Sequence, residues 1–218
     1  MTSTRLSLRS PLDLVPVLPV VVLEDATAAV PLARTLVSCG LTAIEVTLRT
    51  PAALEAVRAI AAEVPDAVVG AGTVLTTAQA DAAVAAGARF LVSPGSTDLL
   101  VAAMRDTGVP FLPGVATASE AVTLLEQGIT DMKFFPAQAA GGAAYLRALA
   151  SPLPQVRFCP TGGITAANAP SYLSLPNVAC VGGSWMLPAA AVQAGDWTTV
   201  AALARDAASL GHHAPENG

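Results

Sequence analysis

Eight times along this chain a short apolar run rich in β-branched residues gives way to a longer Ala/Leu-rich stretch with charges at helical spacing. That alternation constrains the fold strongly, because strands joined through helices rather than tight hairpin turns run parallel. The apolar runs predict strands over Val15–Val22, Thr42–Leu48, Ala67–Val74, Arg89–Ser93, Pro110–Pro113, Asp131–Phe135, Val156–Pro160 and Val178–Gly182. Helices are predicted over Thr27–Ser38, Pro51–Glu63, Ala78–Ala86, Asp98–Thr107, Ser119–Gln127, Ala143–Ala150, Ala167–Leu173 and Thr198–Leu210. Eight strand–helix units in a chain of 218 residues predict an α/β protein, a closed (β/α)8 or TIM barrel forming a single domain over 1–210. An open doubly wound sheet is the runner-up. It is disfavoured because no Gly-x-Gly-x-x-Gly follows the first strand.

The element ends carry their own signals. Gly40, Gly87, Gly108 and Gly128 each follow a helical stretch and precede a strand, where a left-handed C-cap favours glycine. Thr50-Pro51 and Thr76 read as helix starts. A helical turn near Thr4–Arg9 is a weak expectation, and the polar end from Gly211 to Gly218, which holds both histidines, reads as a disordered tail. Arg5 and Arg9 precede an apolar stretch interrupted by Pro11, Asp13, Pro16 and Pro19, a poor signal peptide and no membrane span. The three cysteines, Cys39, Cys159 and Cys180, are scattered and fit buried thiols in a reducing cytoplasm better than a disulfide framework.

Composition narrows the partners. With 53% hydrophobic and 12% charged residues the chain can bury a large core. A net charge of −5 argues against nucleic acid but leaves room for a small anionic ligand where a few cations converge. No His-based metal site is available and no dinucleotide fingerprint appears, so neither metal nor cofactor is expected.

In such barrels the chemistry sits at the C-terminal ends of the strands. Side chains alternate along a strand, so Ile44, Val46 and Leu48 share the apolar face that suits the helices. Glu45, Thr47 and Arg49 then point into the barrel. By the same parity Met132 and Phe134 face the helices, while Lys133 and Phe135 face inward. Lys133 is the only lysine beside ten arginines, and it lies inside an apolar strand. Arginine cannot shed its proton to become a nucleophile, whereas burial favours the neutral amine of a lysine. Lys133 is therefore either a Schiff-base nucleophile or the partner of an interior carboxylate. Glu45 is correspondingly a general acid/base or a plain ion-pair partner. Arg49, about 13 Å further along that face at the strand rise, fits a substrate carboxylate or a rim salt bridge. Thr161-Gly162-Gly163 and Gly182-Gly183-Ser184 follow the last two strands, where backbone amides of such barrels bind phosphate.

Several segments together resemble one family. They are Gly40 to Pro51 around Glu45 and Arg49, Gly70-Ala-Gly-Thr73-Val, Ser93-Pro94-Gly and Lys133-Phe-Phe135-Pro-Ala. Arg157-Phe-Cys-Pro-Thr161-Gly-Gly-Ile, Val181-Gly-Gly-Ser184-Trp and Ala194-Gly-Asp-Trp197 complete the set. All resemble the 2-keto-3-deoxy-6-phosphogluconate (KDPG) and 4-hydroxy-2-oxoglutarate (KHG) aldolases of class I, over about Val15 to Leu210. The resemblance implies a carbon–carbon lyase without cofactor that releases pyruvate from a phosphorylated 2-keto acid. Lys133 would form the Schiff base and Glu45 would move protons. Arg49 and Thr73 would hold the pyruvate carboxylate, with Pro94 and Phe135 lining the pocket. Thr161, Gly162, Gly163, Gly183 and Ser184 would hold the distal phosphate. A homotrimer is implied as well. Two positions depart from the family's pattern, Gln138 where many relatives carry glutamate and Ser96 where leucine is expected, and both bear on substrate preference. The nearest alternatives are an aldolase for the 6-phosphogalactonate epimer and a non-covalent phosphosugar epimerase or isomerase on the same barrel.

Overall fold

The computed structural model describes residues 10–211. The helical turn expected near Thr4–Arg9 and the tail over 212–218 lie outside them. Nine strand segments form: β1 Val17–Val21, β2 Ala43–Thr47, β3 Val68–Gly72, β4 Leu91–Val92, β5 Phe111–Leu112, β6 Gly114–Val115, β7 Asp131–Phe134, β8 Arg157–Pro160 and β9 Val181–Gly183. The helices are α1 Ala29–Ser38, α2 Ala53–Glu63, α3 Thr77–Ala85, α4 Asp98–Asp106, α5 Ala118–Glu126, α6 Gly142–Ala150, α7 Ala169–Leu173, α8 Ala189–Ala194 and α9 Trp197–Ala208.

Every strand pairing is parallel, in the order β5-β4-β3-β2-β1-β9 and β6-β7-β8. Single bridges Phe158↔Val178 and Thr161↔Gly182 join β8 to β9. On the other side β5 and β6 are two halves of one strand, separated by Pro113. Proline has no amide hydrogen to give a ladder. Its carbonyl still accepts from the Lys133 amide at 2.9 Å, so the ring closes there too. Closure is what rules out the open doubly wound sheet. The strand expected over Pro110–Pro113 therefore continues past the proline to Val115.

Parallel strands under a helix layer read as continuous apolar runs because both faces are buried. Accordingly β1 and β2 are buried at every position. Phe134, on the helix side of β7, stacks on Tyr145 of α6 with centroids 5.6 Å apart. The four expected C-cap glycines all adopt positive φ, between 77° and 102°. Thr76 caps α3 as expected, but Thr50 does not cap α2; its hydroxyl donates to the Leu23 carbonyl and the helix starts at Ala53. Helix α8 was not expected, since six residues of mostly alanine show no periodic pattern.

The N-terminal face of the barrel is closed by charge. Arg157 donates to both oxygens of Asp131, at 2.9 and 2.7 Å, and to Asp13 at 2.6 Å. The Ser10 hydroxyl donates to the same Asp131 carboxylate. Among the described residues no helix is long and apolar enough to cross a membrane.

Candidate active site

Glu45 is the middle residue of β2 and Lys133 the third of β7, and alternation points both into the barrel. The Lys133 Nζ lies 3.1 Å from Glu45 Oε1, with the two side chains only 3% and 1% exposed. The other carboxylate oxygen, Oε2, is buried and has no hydrogen-bond partner among the described residues. Desolvating two charges costs several kcal/mol each, so a buried ion pair is poor evidence for stability. An unsatisfied oxygen beside it adds further cost. Costly buried ionisable pairs of this kind gather at functional sites.

The carboxylate needs room, and a glycine makes it. On β3, beside β2, a Cβ at Gly72 would sit 2.1 Å from Glu45 Oε1, so only glycine admits the carboxylate. The Phe135 ring covers the amine, with its centroid 5.4 Å from Nζ. Pro94 packs on the backbone of the next strand: a Cβ at Gly114 would lie 2.2 Å from the Pro94 carbonyl carbon. Gly72 and Gly114 have structural reasons that sequence inspection missed. The signal was there, as glycines inside otherwise apolar strands mark a close approach.

Arg49 is not on the strand, as its parity with Glu45 suggested. β2 ends at Thr47, and Arg49 sits in the turn that follows, exposed at the rim. Its Nε donates to Thr73 Oγ1 at 3.1 Å. No carboxylate among the described residues pairs with Arg49. Its guanidinium thus keeps its other donors for an anion. Thr73 has φ +59°, the only positive φ outside glycine in the described residues. For a β-branched side chain this is strained, by about 1–3 kcal/mol, and such strain gathers at functional sites.

The distal end is built from backbone. Gly162 and Gly163 have φ +99° and +74°, and no acceptor among the described residues takes their amide hydrogens. Successive unpaired amides of this kind form an anion-binding concavity. The second glycine pair differs from expectation. Gly182 and Gly183 end β9 instead of forming a loop. Their reason is packing: a Cβ at Gly182 would meet Thr161 Oγ1 at 2.2 Å, and one at Gly183 the Trp185 ring at 2.0 Å. Gly183 is buried, whereas Ser184 beyond it is exposed at the mouth. Ser184 also lines a cavity of about 700 Å³ beside the mouth, with Val22, Leu23, Leu187 and Trp197. None of the other predicted substrate-binding or catalytic residues lines that cavity.

A family model for KDPG and KHG aldolases matches residues 8–203. A KHG/KDPG aldolase of Escherichia coli strain K12 is 48% identical over 207 residues, spanning 95% of this chain and 97% of the relative. Among solved structures, a Legionella pneumophila KDPG aldolase with pyruvate captured at low pH as a covalent carbinolamine superposes with TM-score 0.89. It is 45% identical and covers 91% of this chain and 96% of its own. The aldolase of Zymomonas mobilis ZM4 with 3-phosphoglycerate gives TM-score 0.88 at 48% identity, covering 94% and 96%.

Proposed function

The chain belongs to the KDPG and KHG aldolase family, and from that premise we propose that it cleaves KDPG to pyruvate and glyceraldehyde 3-phosphate, and 4-hydroxy-2-oxoglutarate to pyruvate and glyoxylate. The observation that carries the reading is the chain's single lysine, buried 3.1 Å from a carboxylate in the barrel interior. A relative traps pyruvate as a carbinolamine, and this lysine is the amine that could do so here.

The steps follow from the geometry. Glu45 takes a proton from Lys133 along their hydrogen bond, which frees the amine lone pair. The amine adds to the C2 ketone, and Glu45 returns its proton to the carbinolamine hydroxyl, which leaves as water to give an iminium and a carboxylate free to act again. That cation accepts the electron pair of the C3–C4 bond as it breaks, while Glu45 receives the proton of the C4 hydroxyl. The aldehyde leaves, the enamine is protonated at C3, and water releases pyruvate from Lys133. Arg49 and Thr73 hold the carboxylate so that the ketone stays within reach of the amine. Pro94 and Phe135 wall the reacting carbons. Thr161 and the amides of Gly162, Gly163 and Ser184 receive the distal phosphate, with Gly183 giving Trp185 its room. The route calls for no cofactor. We also read the chain as a single domain over 1–210 that works in the cytoplasm as a homotrimer, which light scattering on the purified protein will check.

Borohydride added with pyruvate is expected to fix one stable adduct, on Lys133. With no second lysine present, intact mass reports it almost directly. No adduct under turnover conditions would sink the covalent mechanism.

A further inference from the structure

The amides of Gly162 and Gly163 can take a phosphate only while the loop keeps its shape, and its glycines contribute little rigidity of their own. The loop is held instead through its carbonyls. Thr161 O accepts from the Ala137 amide at 2.8 Å and Gly162 O from the Gln138 amide at 3.0 Å. Gly163 O accepts from Asn168 Nδ2 at 2.9 Å. Two of these three donors lie on the segment that directly follows the Lys133 strand, so the distal loop is tied to the lysine's own strand. Gln138 does more than lend its amide. A Cβ at Gly163 would sit 2.6 Å from Gln138 Cβ, so the Gln138 side chain lies hard against the loop. Its Oε1 accepts from the Tyr172 hydroxyl at 2.9 Å. Tyr172, on α7, is 1% exposed. Burial raises the pKa of its hydroxyl, which therefore stays protonated and a donor through the neutral range.

We propose that Gln138 and Tyr172 act as a pair of positioning residues that set the Thr161–Gly163 loop for the distal phosphate, and so set the preference for phosphorylated over unphosphorylated 2-keto acids. The proposal rests on the aldolase function above. Neither side chain touches the reacting carbons, so the pair acts on binding at one end of the substrate only.

The test compares KDPG with 2-keto-3-deoxygluconate, the same carbon skeleton without phosphate, in Tyr172→Phe, Gln138→Met and the double variant. Gln138 is exposed, so Gln138→Met keeps the test open if Tyr172→Phe fails to fold. Each single variant is expected to raise KM for KDPG about fivefold, the scale of one neutral hydrogen bond, with kcat and the KM for 2-keto-3-deoxygluconate little changed. The double variant is expected to lose no more than the larger single effect, because the two residues share one interaction. An equal rise of KM for both substrates, no rise for either, or two effects that simply add would overturn the pairing. Pyruvate trapping separates this outcome from failure of the function itself. An unmodified chain that does not trap pyruvate refutes the aldolase reading, and this one with it. Intact trapping with an unchanged KM ratio refutes only the positioning pair.

Discussion

The two ends of this site are made of different materials. The proposed pyruvate end uses charged side chains, Lys133 and Glu45, on strands of a closed barrel that are paired on both sides, and both are almost wholly buried. The proposed distal end uses main-chain amides on a glycine loop, held through its carbonyls by Ala137, Gln138 and Asn168. Strand-borne groups are rigid because their backbone is paired on both sides. Loop-borne amides need a second layer to keep them aimed. Changes at Lys133 and Glu45 should therefore strike the chemical step, and changes at the glycine loop should strike binding.

The largest effect separates the ends most sharply. Glu45→Gln keeps the shape of the side chain but removes the proton carrier. Steady-state kcat is expected to fall about 10²- to 10⁴-fold, while pyruvate is still trapped on Lys133 at least in part. Full activity in that variant would remove Glu45 from the mechanism. Gly72→Ala should come next. The added methyl would stand 2.1 Å from Glu45 Oε1, so the carboxylate must move off the lysine. A fall in kcat on the order of 10²-fold is expected, with little effect on the affinity for phosphate. If Gly72→Ala raised only KM, the carboxylate's position would not be what limits the reaction.

At the other end, Gly163→Ala places an alanine at φ +74° with its Cβ 2.6 Å from Gln138 Cβ. The loop must shift, and KM for KDPG is expected to rise about tenfold, the value of roughly 1.4 kcal/mol of lost binding. Trapping of pyruvate should persist at its normal rate, because strand pairing on both sides of β7 holds Lys133 in place while the loop shifts. A loss of trapping would mean that the two ends are not separable.

The same division explains what could be read from the chain. The inward placement of Lys133 and Glu45 was legible because strand alternation is a local rule, and both lie within their strands, where that rule is strongest. The C-cap glycines were legible for a similar reason. Arg49 was misplaced by extending the rule two residues beyond the end of β2. The break at Pro113 was missed because the ladder continues on its far side, which only the neighbouring strand reveals. Gly182 and Gly183 looked like a loop, yet they are a strand end thinned to admit Thr161 and Trp185. The Gln138–Tyr172 contact spans 34 residues of chain and carries no periodic mark. What escaped the sequence is therefore the layer behind the site, where contacts are long-range and a residue's role belongs to its neighbour.

Thr73 tests whether strain and function coincide at the pyruvate end. Its φ of +59° is one that glycine adopts freely and threonine does not. Thr73→Gly should relieve part of that strain, and the net gain in stability is expected to be about 1 kcal/mol once the extra flexibility of glycine in the unfolded chain is set against it. The same change deletes the hydroxyl that accepts from Arg49 Nε. The guanidinium then loses its anchor at the rim, and KM is expected to rise a few-fold for KDPG and for 2-keto-3-deoxygluconate alike, since both carry the same carboxylate. That equal rise is the counterpart of the selective one expected at the glycine loop. A more stable variant that binds both substrates as tightly as before would show that the strain at Thr73 serves no purpose in catalysis. A less stable one would show that its hydrogen bond to Arg49 outweighs the backbone cost.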